Sequence, residues 1–358
     1  MRNLILFIAI ILLGNCTLIN AQNLICRQCK KPITENYTIV EGAPYHKEHF
    51  TCASCQKPIE GAYNKKDGKY FHAACFSQAE GLVCSSCGAL ITEAFLTFEG
   101  KKYHPDCYTN KVAVKCAVCL QPILAESKID EYGNAFHKNH IYEYKQCENC
   151  GRLICERITG GGKKYSDGRD ICYLCSAQAI YENEIIRSLF REVKDKLISL
   201  GIGIPANITV EGVDRIMLKR KYESDVSPEM KGFCSSTEMT RSNGNVKEKT
   251  TFNHKIYVLN GVPALYLSAT IAHELMHAWI FENAGKDLPP QILEGSCNYV
   301  SYLYLKDNSN PAARIIIKRL HNSEDAIYGS GFRNIYSRFS GKSVNDFLSY
   351  LKKEGGKK

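Results

Sequence analysis

Apolar residues follow three successive patterns along this chain. The first is a single run from Leu4 to Leu13 behind a basic start. At about ten residues it falls short of the ~20 a membrane-spanning helix needs. The second pattern, over residues 26–175, consists of short aromatic and β-branched stretches broken by glycine: YTIVEGAPYH, AYNKKDGKYFH, AFLTFEGKKYH and SKIDEYGNAFH. Each predicts a small β-hairpin. The third pattern starts near Ser176. AQAIYENEIIRSLFREVKDKLISLG, residues 177–201, has apolar positions near helical spacing and a terminal glycine, which predicts a long amphipathic helix. NITVEGVDRIMLKR follows as strand-like sequence, SNGN at 242–245 as a turn or mobile loop, and KIYVL at 255–259 as a strand. ATIAHELMHAW, residues 269–279, is apolar nearly all round, through Ile271, Ala272, Leu275, Met276, Ala278 and Trp279, as a buried helix would be. Pro289 and Pro290 suit the start of a further helix that continues from Ile292 to Leu305. Strands before the motif and helices around it predict an α+β fold.

The buried helix carries the chemistry. His273 and His277 stand at i and i+4, so both imidazoles leave one helix face and can grip one zinc ion. Glu274 is placed beside the open position of such a site, where it can take a proton from an activated water. An HExxHxxGxxH signature would need Gly and His where this chain has Ile280 and Asn283, so that class is excluded. The expected third ligand is Glu294, one turn into the next helix; its alternative role is that of a helix N-terminal acid. KIYVL is expected to be the edge strand above the metal, able to pair with an extended substrate. His321, Tyr328 and Tyr336 are candidate donors to a developing oxyanion, each with packing as the competing role. His254 is read as structural.

Of the 18 Cys, 14 belong to a repeat that begins with CRQCKKPI, CASCQKPI, CSSCGALI, CAVCLQPI and CENCGRLI. Each pair is followed by a second pair of ligand-type residues. The five sets are Cys26, Cys29, His46 and His49; Cys52, Cys55, His72 and Cys75; Cys84, Cys87, His104 and Cys107; Cys116, Cys119, His137 and His140; and Cys147, Cys150, Cys172 and Cys175. Each offers four ligands to one tetrahedral structural zinc. Blocks of about 30 residues cannot bury enough surface to fold unaided, and metal binding supplies the difference. The alternative is a disulfide scaffold, but six repeat positions hold His, which replaces Cys on zinc and cannot form a disulfide. Cys155 stands inside the fifth block as a competing thiol, and Cys234 and Cys297 are either buried thiols or a pair.

Charge bears on partners. The chain has a formal net charge of +9, yet residues 26–175 hold 20 basic against 17 acidic residues. Zinc with its thiolates brings the array to about −1, without the basic balance of a nucleic-acid reader. Protein partners and protein substrates are expected instead. MRNLILFIAIILLGNCTLINAQ reads as a signal peptide over 1–21, with lipid anchoring at Cys16 as a minor alternative. This predicts a secreted or periplasmic protein with no membrane span in the mature chain.

The two residues between His49 and Cys52 make 26–75 resemble a fused double-zinc LIM domain, while 84–175 resembles three looser LIM-like zinc ribbons. GFCSSTEM at 232–239, IYVLNGVPALYLSATIAHELMHAW and LPPQILEGSCNYVSYLYL resemble the core of the LIM-domain peptidases known from plants as ubiquitin-activated regulators of organ size. That resemblance implies limited cleavage of proteins by a zincin-like, gluzincin-type metallopeptidase domain over 176–358. It likewise implies His273, His277 and Glu294 as ligands of one catalytic zinc, and Glu274 as catalytic base. A leader occupies the place of the plant proteins' ubiquitin-interacting helices, so ubiquitin dependence is not carried over. The expected protein is an exported zinc endopeptidase with a recognition array. Its alternative is a non-catalytic zinc-array adaptor with a vestigial peptidase domain, and a third possibility is an array that covers the cleft until a partner binds.

Overall fold

The structure is a computed structural model and describes residues 24–222, 230–243, 246–285 and 288–356. The expected leader and Cys16 lie outside the described residues, as does the tip of the SNGN turn. The chain divides into two compact units. One holds residues up to 115 together with 121–125, and the other holds 116–120 together with 126 onward.

In the first unit the predicted hairpins form over Tyr37–Val40 with Ala43–His46, Tyr63–Lys66 with Lys69–His72, and Leu96–Phe98 with Lys101–Tyr103. Their turns are Glu41-Gly42, Asp67-Gly68 and Glu99-Gly100, with both residues of each pair at positive φ. That backbone matches the twist of the flanking strands, so two local residues set each register. Cores are small. Val40, Tyr45, Phe50 and Ile59 share one core with Tyr63 and Tyr70, so the first two modules fold around common aromatic rings. Phe50 meets Tyr63 at 5.3 Å and Tyr70 at 5.0 Å between ring centroids. The third module packs Ile91, Phe95, Tyr103 and Tyr108 against Phe76.

The second unit adds a mixed α+β body to the fourth and fifth modules. Helix α1 (Asn183–Ser199) buries Ile186, Phe190, Val193 and Leu197, one helical stripe. Strand β1 (Ile208–Val213) leads into helix α2 (Arg215–Tyr222). RIMLKR is therefore helical, against the strand-like expectation, because the Asp214 carboxylate accepts the Met217 N–H at 2.7 Å and caps a new helix. Strands β2 (Gly232–Asn243) and β3 (Val246–Leu259) complete a sheet of order β1-β3-β2. β3 runs parallel to β1 and antiparallel to β2. KIYVL thus lies in the centre of the sheet and corrects the edge-strand expectation: both its ladders are taken, and the edge beside the motif helix is β2.

Helix α3 (Ala264–Asn283) and helix α4 (Pro290–Leu305) follow. Helices α5 (Pro311–Asn322), α6 (Tyr328–Phe339) and α7 (Val344–Glu354) close the body. α3 buries Leu267, Ile271, Leu275, Met276 and Trp279, so it runs through the core as its apolar surface demands. α4 and α6 approach through glycine: a Cβ on Gly295 would meet the Gly331 carbonyl carbon at 2.3 Å. Among the described residues no helix is long and apolar enough to cross a membrane.

Candidate metal centres

In every module the residue after the second cysteine of the CxxC pair has positive φ: Lys30, Gln56, Gly88, Leu120 and Gly151. This left-handed step turns the chain back so that the pair faces the hairpin end. The donor atoms of each of the five predicted sets lie within 4.8 Å of one another. Nδ1 of His46, His72, His104 and His137 lies 3.5, 3.3, 3.4 and 3.5 Å from the second cysteine Sγ of its module. A nitrogen and a sulfur that share a tetrahedral zinc stand about 3.5 Å apart.

The histidine tautomers suit the metal as well. Nε2–H of His46, His72 and His104 donates to the carbonyls of Pro32, Pro58 and Leu90, which leaves Nδ1 free to ligate. His140 is turned the other way. Its Nδ1–H donates to Glu143 Oε2 at 2.6 Å, while Nε2 is buried without a partner. A buried orphan nitrogen beside Cys116, Cys119 and His137 is the mark of a metal ligand. Burial pushes the leading thiols up, yet knuckle N–H groups overcome it and bring Cys26 down to about 5 and Cys52, Cys84 and Cys116 to about 6. Thiolate is the zinc-binding form. In the fifth module all four thiols are buried, Cys150 and Cys172 stand 3.6 Å apart, and Cys155 is outside the cluster. That separation is too long for a disulfide. Cys234 and Cys297 are likewise free thiols. The clusters are suited to zinc.

A sixth arrangement forms where α3 faces α4. Nε2 of His273 lies 3.1 Å from Nε2 of His277 and 3.2 Å from Glu294 Oε2, and His277 Nε2 lies 3.5 Å from the same oxygen. These three edges match the roughly 3.3 Å between nitrogen or oxygen ligands of one tetrahedral zinc. His273 Nδ1–H donates to Asn298 Oδ1 at 3.0 Å, which aims Nε2 at the other two donors. Asn298 Nδ2 in turn donates to the Tyr328 carbonyl. Sequence reasoning missed Asn298, although its place one turn after Glu294 puts it on the same face of α4. Burial would raise the Glu294 carboxyl, but contact with His273 and His277 outweighs it and holds the group well below the ordinary carboxylate range. The donor side chains keep 13 to 21 % of their surface, so the site is open to a small molecule.

Glu274 follows His273 on α3 and is buried. Burial pushes its carboxyl up to about 7, opposed by His273 and reinforced by Glu294. The edge strand runs directly over it: a Cβ on Gly232 would meet Glu274 Oε1 at 2.8 Å and Thr270 Cγ2 at 2.7 Å. Gly232 is a site residue that sequence reasoning passed over, since only the fold brings strand and helix together. Of the three candidate oxyanion donors only Tyr328 reaches the site, with its ring stacked on His273 at 6.4 Å. Burial, with the neighbouring Glu294 and Glu274 carboxylates, raises the Tyr328 hydroxyl pKa, so the hydroxyl stays protonated. His321 and Tyr336 pack on each other at 4.6 Å and against Phe332. His254 is buried. It accepts from Ser236 at 2.7 Å and donates to Glu282 at 3.0 Å, tying β2 to the end of α3.

Known families match two parts of the chain: LIM domain over residues 26–80 and Protein DA1, the DA1-like family, over 218–319. The chain is similar to LIM domain-containing protein HDR3 of Oryza sativa subsp. japonica, 25 % identical over 278 residues, which covers 60 % of this chain and 55 % of that protein. It is similar to Protein DA1-related 2 of Arabidopsis thaliana, 28 % identical over 201 residues, 48 % of this chain and 38 % of the relative. Protein DA1 of the same plant is 25 % identical over 192 residues, 44 % and 36 % of the two chains. The chain carries a LIM domain and a DA1-like region and is homologous to these plant proteins, of whose length the matches span about half or less.

Proposed function

We propose that this protein is a zinc-dependent endopeptidase of zincin-like type that cleaves protein substrates, with its LIM-like modules recognising partner or substrate proteins. The observation that carries the reading is the triangle of His273, His277 and Glu294 donors, 3.1 to 3.5 Å on a side, with the buried Glu274 next to His273 in the chain. His273, His277 and Glu294 would hold zinc, which when bound would supply the Lewis acid that peptide hydrolysis near neutral pH needs. Glu274 takes the proton of the attacking water and passes it to the leaving amine, a task open to a buried carboxyl that follows His273 on α3. The Tyr328 hydroxyl keeps its proton and donates a hydrogen bond to the developing oxyanion. Among the described residues β2 has one partner strand, and its other edge is where an extended peptide would pair.

Glu274→Gln tests the reading on an unfolded protein substrate. Zinc content should match the parent, and cleavage should fall by on the order of 10²- to 10⁴-fold. Retained cleavage would remove Glu274 as base. No cleavage by the parent, with zinc bound at His277, would favour the adaptor reading. Export belongs to the same proposal, and N-terminal sequencing of the mature protein checks it: a start near Gln22 is expected.

A further inference from the structure

The fourth and fifth modules read in the sequence as part of the recognition array, yet the fifth is built into the second unit at its ligands. Arg319 of α5 donates to the carbonyls of Asn149, at 3.1 Å, and of Cys150. Its Nε lies 3.5 Å from the Glu131 carboxylate. Arg215 of α2 pairs with Glu148, and its backbone N–H donates to Asp167 Oδ2 at 3.1 Å. The loop that carries Cys147 and Cys150 is therefore held from two helices.

The same module also sets the beginning of the helix that bears His273 and His277. Directly after Cys175, Ala179 and Ile180 pair antiparallel with Val262 and Pro263, the residues that precede α3. Tyr266, in the first turn of α3, packs against the buried cluster that Ile171 forms with the four cysteines. Its hydroxyl is 2.8 Å from that of Tyr132. Thr270 donates to the Tyr266 carbonyl, and Glu274 follows one turn later on the same face. The cysteine cluster thus reaches α3 through Tyr266, one and two turns before Thr270 and Glu274 on the same helix face.

We propose that the fifth cysteine cluster is a positioning element for α3, with Tyr132 and Arg319 as positioning residues that couple metal at Cys147, Cys150, Cys172 and Cys175 to the donor triangle. Cys147, Cys150, Cys172 and Cys175 would hold the metal and with it the shape of loop 147–150; that loop seats on Arg319 and Arg215, and the seated module fixes residues 262–266 and with them the helix. Coupling of this kind is reciprocal, so the fifth site also holds its metal more tightly when α3 is in place. Only the activity arm of the test rests on the peptidase reading.

The experiment uses the full chain with zinc content, hydrogen exchange over residues 264–283 and cleavage of an unfolded protein substrate as readouts. Cys172→Ser should speed exchange in α3 by on the order of tenfold and lower kcat more than it raises KM. It should also lose more than a single zinc equivalent, because the donor triangle loosens with it. Cys84→Ser, the control in the first unit, should lose one equivalent and leave α3 unchanged. Arg319→Ala and Tyr132→Phe keep every metal ligand and should speed exchange in α3 by a smaller factor; they decide the matter if Cys172→Ser does not fold. Unchanged exchange in these variants overturns the proposal. Absence of cleavage in the parent would defeat the peptidase reading alone, since exchange and zinc content still decide the coupling.

Discussion

In the first module Cys26 is the buried ligand and Cys29, His46 and His49 are partly exposed; in the fifth, Cys147, Cys150, Cys172 and Cys175 are all buried. Both modules use the same knuckle turn, with a left-handed residue after the second cysteine. Their surroundings differ. The first shares a core of a few aromatic and aliphatic residues with the second module, which is too little apolar surface to hold about 50 residues without metal. The fifth rests on a body whose own core takes in α1, α2, the sheet and helices α3, α4, α6 and α7. One ligand frame thus stands in two settings: beside a small shared core in the first unit, and seated on a larger core in the second.

The comparison is broken most directly by removing metal. Graded chelation followed by thiol alkylation should label Cys29, Cys55 and Cys87 well before Cys147 and Cys150, with rates apart by on the order of tenfold or more. The first unit should lose its folded structure entirely while the helical circular dichroism of the second persists in large part. Simultaneous labelling of all sites would show that burial of the fifth cluster confers no protection. A smaller effect comes from Gly295→Ala, which places a methyl group 2.3 Å from the Gly331 carbonyl carbon. It should destabilise the second unit by about 1–3 kcal/mol and leave the thermal transition of the first unit in place. A matching shift in both transitions would mean that the two units unfold as one. The smallest effect is expected for Lys65→Ala, which removes an exposed pair with Glu41 in the first unit. Solvent screens such a pair, and neither transition should move measurably by calorimetry.

Legibility in the sequence followed the distance over which each feature is decided. The hairpins and the five ligand sets could be read because Glu-Gly and Asp-Gly turns and the CxxC spacing act within a few residues. Helical spacing made His273 and His277 readable as a pair, whereas Glu294 stayed open between ligand and helix N-terminal acid until α4 was seen to face α3. RIMLKR misled because its apolar content hid the Asp214 cap, which decides helix over strand. KIYVL misled differently. Its sequence fits a strand with one or two neighbours, and its central place depends on β1 and β2 taking both its ladders. Gly232 over Glu274 and Arg319 against Asn149, 170 residues apart in the chain, left no local signal at all.

The sequence by itself determined which atoms are able to hold metal and which carboxylate stands next to them, because ligand chemistry resides in residue type and helical or hairpin spacing. Tertiary structure alone decided which strand borders the site, which tyrosine reaches it, and that the fifth module is seated on the body that carries the donor triangle. The reason is physical: periodicity specifies which face of an element is apolar, but the partner that covers that face is selected by packing and by buried hydrogen bonds between segments far apart in the chain.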